Sequence, residues 1–453
     1  MGRITLQQAA KWCGGYVAPK YADITFFGAN NDSRKIEPGQ LFVALQGARD
    51  GHEFIPKALE MGAAAVLCTH CEGDYPAIVV PDTRLALGDI ARQERRRLNM
   101  KVVGVTGSVG KSTTKEMIAG VLSGTFKVGK SPVNHNNDIG LPMSILALPE
   151  DTEVAVLEMG MNHFREIAYL SSIASPDVGV IVNIGTMHIE HLGSVEGILQ
   201  AKMEILEGMS DDGKLILNGD DPMLWGRRNQ YRMTPVYFAV NNGEAEVLGS
   251  DVEQRDGALQ FFVSYSGCHY RIEMMLEGRH YVTDALAAIT VAQALGVTPA
   301  KIQENLSCFH NMSGRQEIFE ARGCTIINDC YNAGPESMAA ALEVLGSRPG
   351  RRIAVLGDML ELGVCTQAEH YRIGRIAVGK CDAILTYGPS GERVITGAIT
   401  GGMSPGSVHA YSDRDELAKN LKRVAKPGDV ILIKGSRGMH MELILEKFLS
   451  EET

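Results

Sequence analysis

The run Val102-Val103-Gly104-Val105, followed by Thr106-Gly107-Ser108-Val109-Gly110-Lys111-Ser112-Thr113-Thr114, decides how this chain is read. Its first half has the composition of a buried strand, and its second half is a glycine turn that opens a helix with hydroxyl residues. That order predicts a phosphate-binding loop. Gly107 and Gly110 leave the backbone N–H groups free to face a polyphosphate, and the helix dipole adds partial positive charge. Lys111 is placed to reach the β- and γ-phosphates, and Ser112 to set its hydroxyl on a bridging magnesium. The general pattern G-x-x-x-x-G-K-[ST] asks for glycine at position 105, where this chain has Val105. A plain strand-to-helix turn with a solvated lysine is the competing reading. It leaves unexplained why a lysine and several hydroxyls follow the glycine directly.

Working outward, 453 residues suggest about three domains of roughly 150 residues each. With 45% hydrophobic and 22% charged residues, each domain can bury a core. A net charge of -10 argues against nucleic acid as a partner, because phosphate backbones need clustered positive charge. The one basic cluster, Arg95-Arg96-Arg97, is expected to close a helix C-terminus ahead of a strand at Lys101. Nine cysteines, an odd number spread along the chain, read as reduced thiols, and Cys68 and Cys71 lack a second pair at zinc spacing. The first eight residues lack the apolar segment of a signal peptide, and no run is long and apolar enough to span a bilayer. A cytoplasmic protein without membrane insertion is expected.

The fold class is α/β with three domains. Residues 1–98 form a small mixed α/β domain, with helices near 54–61 and 84–97 and strands near 40–45, 64–67 and 77–80. Residues 99–313 form a central P-loop ATPase-type parallel sheet with an antiparallel addition. Its apolar runs 101–105, 154–159, 178–184 and 214–217 alternate with helical stretches. Residues 237–275 change to alternation with glycine turns, which predicts hairpins inserted after the parallel sheet, and an alanine-rich buried helix follows at 284–295. Residues 314–453 restart the strand-helix alternation as a Rossmann-like doubly wound domain, without a glycine fingerprint for a dinucleotide. Ligands of parallel sheets gather at the strands' carboxyl ends. In the central domain those ends carry Glu158, the cluster Met187-His188-Ile189-Glu190-His191, and Asn218-Gly219-Asp220-Asp221-Pro222, candidates for holding a second divalent ion.

Taken together, the motifs resemble the ATP-dependent Mur ligases of peptidoglycan synthesis. The phosphate loop without the first glycine, T-G-x-x-G-K-[ST]-T, is that family's variant. The resemblance runs through DSRKIEPGQLFVALQGARDGHEFI from Asp32, SPVNHNNDIGLPMSIL from Ser131, EMGMNHFREI from Glu158, NIGTMHIEHLGSVEGILQAKMEI from Asn183, CYNAGPESM from Cys330, LGDMLELG from Leu356 and KGSRGMHME from Lys434. Within the family the chain is most similar to members that join D-alanyl-D-alanine to UDP-N-acetylmuramoyl-tripeptide through an acyl phosphate. A family ligase with another acceptor, such as a folylpolyglutamate-type enzyme, and a non-catalytic nucleotide-binding regulatory protein are the alternatives.

The resemblance assigns residues as follows. Thr106 to Thr113 would bind the ATP phosphates, and Ser112 would also bind magnesium. Glu158, His188 and Lys202 would hold a second magnesium, Lys202 as a carbamate derived from carbon dioxide. Catalysis is thereby assigned to Lys111, Glu158, His188 and Lys202. Asp284, Arg315 and Asp329 would complete the ATP site. Ser33, Arg34 and the turn Asp50-Gly51-His52 would take the UDP end of the sugar nucleotide, and Asn134, Asn136 and Asn137 its peptide. Tyr331, Asn332, Ser436 and Arg437 would face the incoming dipeptide. A monomer that closes its domains on its substrates is expected. The chain departs from the family at Tyr281 and Asp284, where H-N-x-x-N is usual, at Gly334 within Y-N-A-N-P, and at Asn328. An ionised Asp284 could only accept a hydrogen bond, where asparagine both donates and accepts.

Overall fold

The computed structural model describes residues 4–255 and 257–450. Its three domains are each built on a sheet, with a two-stranded ribbon, Ile4–Thr5 with Thr25–Phe26, beside the first. The first domain's five strands lie in the order Tyr16–Val17, Ala77–Val79, Ala65–Cys68, Leu41–Val43 and Ala29–Asn30, parallel except for Tyr16–Val17. The helix Thr83–Leu98 starts at Asp82, whose carboxylate accepts from the N–H groups of Arg84 and Leu85. Its apolar face shares one core with the central domain, with Leu87 and Ile90 in the same cluster as Leu170 and Ile173. The basic last turn does more than close the helix. Arg95 donates to the Ala174 carbonyl at 2.9 Å and to Asp177 at 3.0 Å, which fixes the first domain on the second.

The central sheet has nine strands. From one edge they run Val128–Lys130, Val154–Glu158, Lys101–Thr106, Val178–Ile181, Lys214–Asn218, Val236–Ala239 and Val247–Arg255, all parallel. Ala258–Tyr265 and Cys268–Met274 continue the sheet antiparallel. The expected antiparallel addition is present over 247–274, and only its first stretch, Val236–Ala239, differs from the expectation by pairing parallel. Val236–Ala239 pairs parallel with its predecessor because Tyr237, Phe238 and Ala239 are buried, as continuous apolar runs in parallel sheets are. Alternating burial begins at Val247, and the strand Val247–Arg255 pairs parallel on one side and antiparallel with Ala258–Tyr265 on the other. The helix Tyr281–Ala294 is buried along most of its length and packs against the helix Lys111–Ser123 that follows the phosphate loop.

The third sheet runs Glu317–Ala321, Cys324–Asp329, Val430–Lys434, Arg352–Gly357, Ala383–Tyr387 and Val408–Tyr411, parallel except for the first. The two edge strands carry half-exposed residues and lack the apolar run that marks the inner four, so the sequence pattern does not single them out. One face is covered by Pro335–Ser347, Thr366–Ala377 and Gly391–Thr400, the other by Arg414–Val424 and Glu442–Leu449. Among the described residues no helix is long and apolar enough to cross a membrane.

Candidate active site between the central and third domains

The carboxyl ends of the central and third sheets meet across a cleft of about 1060 Å³. The phosphate loop forms its floor. Gly110 sits at φ 81°, and a Cβ there would stand 2.6 Å from the Asp284 carboxylate, so only glycine fits. Asn183, just past the end of the neighbouring strand, braces the loop. Its carbonyl oxygen accepts from the N–H groups of Ser108 and Val109 at 3.1 and 2.9 Å, and its amide donates to the Val109 carbonyl at 3.0 Å. Lys111 donates to the carbonyls of Gly107 and Ser108, and burial pushes its ammonium below the usual lysine range. Thr106 is buried beneath the loop, and Thr113 lines the cleft.

Ser112 is the meeting point of two domains. Its hydroxyl donates to Glu158 at 2.6 Å and accepts from Arg315 of the third domain at 2.9 Å. The other Glu158 oxygen accepts from Asn136 at 2.8 Å. A hydroxyl and a carboxylate in contact at the mouth of a phosphate loop suit a hard divalent cation, which takes oxygen ligands. Among the described residues no cluster of three or more histidine, cysteine, aspartate or glutamate side chains is formed. Glu158 and His188 are therefore short of a full donor set unless another anionic group joins them.

Lys202 does not line the cleft, but it lies close enough to Lys111 to feel its charge. The sequence alone gives a solvated helix lysine, but it is 2% exposed on the helix Val195–Met203. Burial and then repulsion from Lys111 hold its amine well below the ordinary range, with no carboxylate offsetting either.

Third-domain groups complete the wall. Arg315 lies over the Tyr331 ring, 3.8 Å from its centre. Asp329 pairs with Lys434 at 2.6 Å and accepts from the Gln316 N–H at 3.2 Å. Asn332 accepts from the Arg437 N–H at 3.2 Å. Gly334 is explained by its neighbour: a Cβ there would come within 2.7 Å of Met187 of the central domain. His188, with φ 65°, donates through Nδ1 to Glu361 at 2.5 Å.

Asp284 lies under the phosphate loop and accepts from the Thr114 hydroxyl at 2.8 Å. Burial raises its carboxyl to about 7, outweighing the Thr114 hydrogen bond and the nearby Arg315. A protonated carboxyl both donates and accepts, so the departure from asparagine is smaller in chemistry than in the sequence. The linkage has a definite sign. With its folded value raised above the ordinary 3.8, Asp284 stabilises the fold fully below pH 4 and loses that contribution as pH rises to about 7. Asp284→Asn should therefore melt higher than the natural chain above pH 7, by at most about 4 kcal/mol in stability, with the difference shrinking toward pH 4. Melting curves from pH 5 to pH 8 check this, and a difference independent of pH would contradict it.

Several expected site residues are placed elsewhere or spent on the fold. Asp220 accepts from the N–H groups of Val240, Asn241 and Asn242, and Asp221 caps the helix Pro222–Trp225 and accepts from the Ile184 N–H. Both carboxylates brace turns, which corrects their reading as cation ligands. Ser436 donates to the Ala333 carbonyl and accepts from the Leu360 N–H while buried, so its hydroxyl joins strand ends and does not line the cleft. Asn137 accepts from the Gly140 N–H at 2.8 Å where the helix Gly140–Leu146 begins, and with Asn134 and Asn136 it lines the cleft.

The first-domain group, Ser33, Arg34, Asp50, Gly51 and His52, lies outside the cleft, whose lining takes Arg84 from that domain. Arg34 pairs through two nitrogens with Asp32, and His52 bridges Asp50 at 2.6 Å and the Thr69 N–H at 3.0 Å. Asn183, His280 and Lys434 line the cleft without having been singled out from sequence. The available signal for Asn183 is that it is the one polar residue within the apolar run 178–184.

Three models of known families match the chain: "Mur ligase family, catalytic domain" over residues 24–95, "Mur ligase middle domain" over 105–292 and "Mur ligase, glutamate ligase domain" over 314–437. A UDP-N-acetylmuramoyl-tripeptide--D-alanyl-D-alanine ligase of Bacillus subtilis is 39% identical over 456 residues, which cover 98% of this chain and 98% of the relative. Among solved structures, MurF from Acinetobacter baumannii matches with a TM-score of 0.90 at 31% identity, covering 100% of both chains. MurF ligase from Thermotoga maritima, solved in complex with ADP, matches with a TM-score of 0.82 at 30% identity, covering 93% of this chain and 97% of that one.

Proposed function

Since the chain belongs to the Mur ligase family, we propose that it is an ATP-dependent ligase that joins D-alanyl-D-alanine to UDP-N-acetylmuramoyl-tripeptide in peptidoglycan precursor synthesis. The observation that carries the reading is the meeting of Lys111, Ser112 and Glu158 of the central domain with Arg315 of the third at one polyanion-sized cleft. The terminal carboxylate of the tripeptide attacks the γ-phosphorus of ATP, and ADP leaves. The resulting acyl phosphate is attacked at carbon by the dipeptide amine, which loses a proton as phosphate is expelled.

Lys111, at the loop's edge, is positioned to follow the transferring phosphoryl group, and Arg315 to neutralise it from the opposite side. Ser112, Glu158, His188 and Lys202 would hold magnesium, which when bound offsets the charge of the phosphates. Lys202 takes part as a carbamate: its neutral amine adds to carbon dioxide, a proton leaves, and a cation becomes an oxygen ligand. Its burial without an anionic partner supports that step. Residues 1–98 hold the UDP end, residues 99–313 ATP and the peptide, and residues 314–453 the dipeptide and part of ATP. The chain acts in the cytoplasm, in keeping with its free cysteines.

An acceptor panel tests the reading. With ATP, magnesium and UDP-N-acetylmuramoyl-tripeptide present, phosphate release should depend on D-alanyl-D-alanine and not on single amino acids. A folate substrate with glutamate should not replace the pair. Equal release with any of these in place of the dipeptide would overturn the assignment of the acceptor.

A further inference from the structure

The loop that carries His188 is held from two sides. Its base belongs to the central domain: the Ile184 N–H donates to Asp221 at 2.7 Å and the Gly185 N–H to the Ser108 hydroxyl at 2.8 Å. Its tip is held by the third domain. The N–H and hydroxyl of Thr186 both donate to Glu336 at 3.2 Å, and His188 Nδ1 donates to Glu361 at 2.5 Å. The segment around Glu361 is seated on this tip, since a Cβ on Gly363 would lie 3.1 Å from Glu190. His188 and Glu361 both adopt left-handed backbone conformations, at φ 65° and 61°, which non-glycine residues keep only where their surroundings fix them.

We propose that Glu361 is the positioning residue for His188, so that the third domain completes the cation-binding face of the central domain. The inference rests on the reading above that His188 faces the cation. A carboxylate can only accept here, so Nδ1 carries a proton, and in the neutral imidazole the lone pair is left on Nε2. That is how a carboxylate behind a ligating imidazole fixes its tautomer and its direction. The Glu361 side chain is 43% exposed, so it is not a core-packing group, whereas the His188 side chain is 16% exposed. Were the third domain displaced, Thr186 and His188 would lose both carboxylates at once while the base of the loop kept its bonds. Cation affinity is thereby tied to the closed arrangement of the two domains.

The test uses the full chain with ADP and manganese, following free manganese by electron paramagnetic resonance. His188→Ala should weaken manganese binding by about 10- to 100-fold, and Glu361→Ala by at least about 10-fold. Glu361→Gln, which keeps the volume and an accepting oxygen, should fall between Glu361→Ala and the natural chain. The double variant His188→Ala/Glu361→Ala should bind manganese no more weakly than His188→Ala alone. ADP affinity without metal should be unchanged in every variant, a readout that general damage to the fold would move. Unaltered manganese binding in Glu361→Ala beside a clear loss in His188→Ala would overturn the positioning role and leave the ligand reading standing. Unaltered binding in His188→Ala would overturn the ligand reading itself. Should Glu361→Ala not fold, unaltered binding in Glu361→Gln and a further loss in His188→Ala/Glu361→Gln relative to His188→Ala would together overturn the proposal.

Discussion

Lys202→Ala is expected to reduce dipeptide-dependent phosphate release by on the order of 10³-fold, because loss of an anionic cation ligand removes several kcal/mol of charge stabilisation in phosphoryl transfer. The fold should survive the change, since the lysine is buried without a carboxylate partner whose charge would be left uncompensated. Lys202→Arg should be equally inactive, because a guanidinium stays protonated and cannot add carbon dioxide. Short carboxylic acids such as acetate should restore part of the activity to Lys202→Ala by supplying the missing oxygen ligand, and none to Lys202→Arg, where the side chain still fills the space. Steady-state rates with and without added acid check this. Full activity in Lys202→Ala would remove the residue from the mechanism.

Lys111→Ala should lower kcat by about 10²- to 10³-fold, the usual cost of removing one preorganised donor from a developing oxyanion. The amine is buried and held by the carbonyls of Gly107 and Ser108, so its direction is set before any phosphate arrives. Its contact strengthens as the phosphoryl group moves, so kcat should fall while KM for D-alanyl-D-alanine changes little. Lys111→Arg should not restore the rate, because a planar fork is a different shape from a point charge on a loop this tight. Measured kcat and KM values for both variants check the prediction. An unchanged kcat in Lys111→Ala would contradict the placement of Lys111 at the reacting phosphate.

What the sequence made legible is what local pattern encodes. The phosphate loop combines a buried strand, a glycine at positive φ and a helix N-terminus within a dozen residues, so its structure is written where it stands. The strands flanking the phosphate loop and the inner strands of the first and third sheets are apolar runs because parallel strands are buried on both faces. Side chains whose partners come from other strands were not legible. Asp220 and Asp221 looked like cation ligands because they follow a strand end, yet three backbone N–H groups near Asn241 take up Asp220. Ser436 looked free, and its hydroxyl is consumed by Ala333 and Leu360, segments separated from it by most of a domain. Lys202 is the reverse case. Alanine and methionine beside it give no sign of burial, and only the resemblance to a family drew attention to a lysine that the fold deprives of water. Glu361 falls within the stretch LGDMLELG from Leu356, but its role has no local signal because its partner His188 lies on another domain.

The most direct test of the account follows oxygen. UDP-N-acetylmuramoyl-tripeptide carrying 18O in its terminal carboxylate is incubated with the chain, ATP, magnesium and D-alanyl-D-alanine, and both products are weighed by mass spectrometry. Ligation through an acyl phosphate predicts a sugar-nucleotide product heavier by one dipeptide less water, and one 18O in each phosphate released. Phosphate without the label, or no product that depends on the dipeptide, would contradict it.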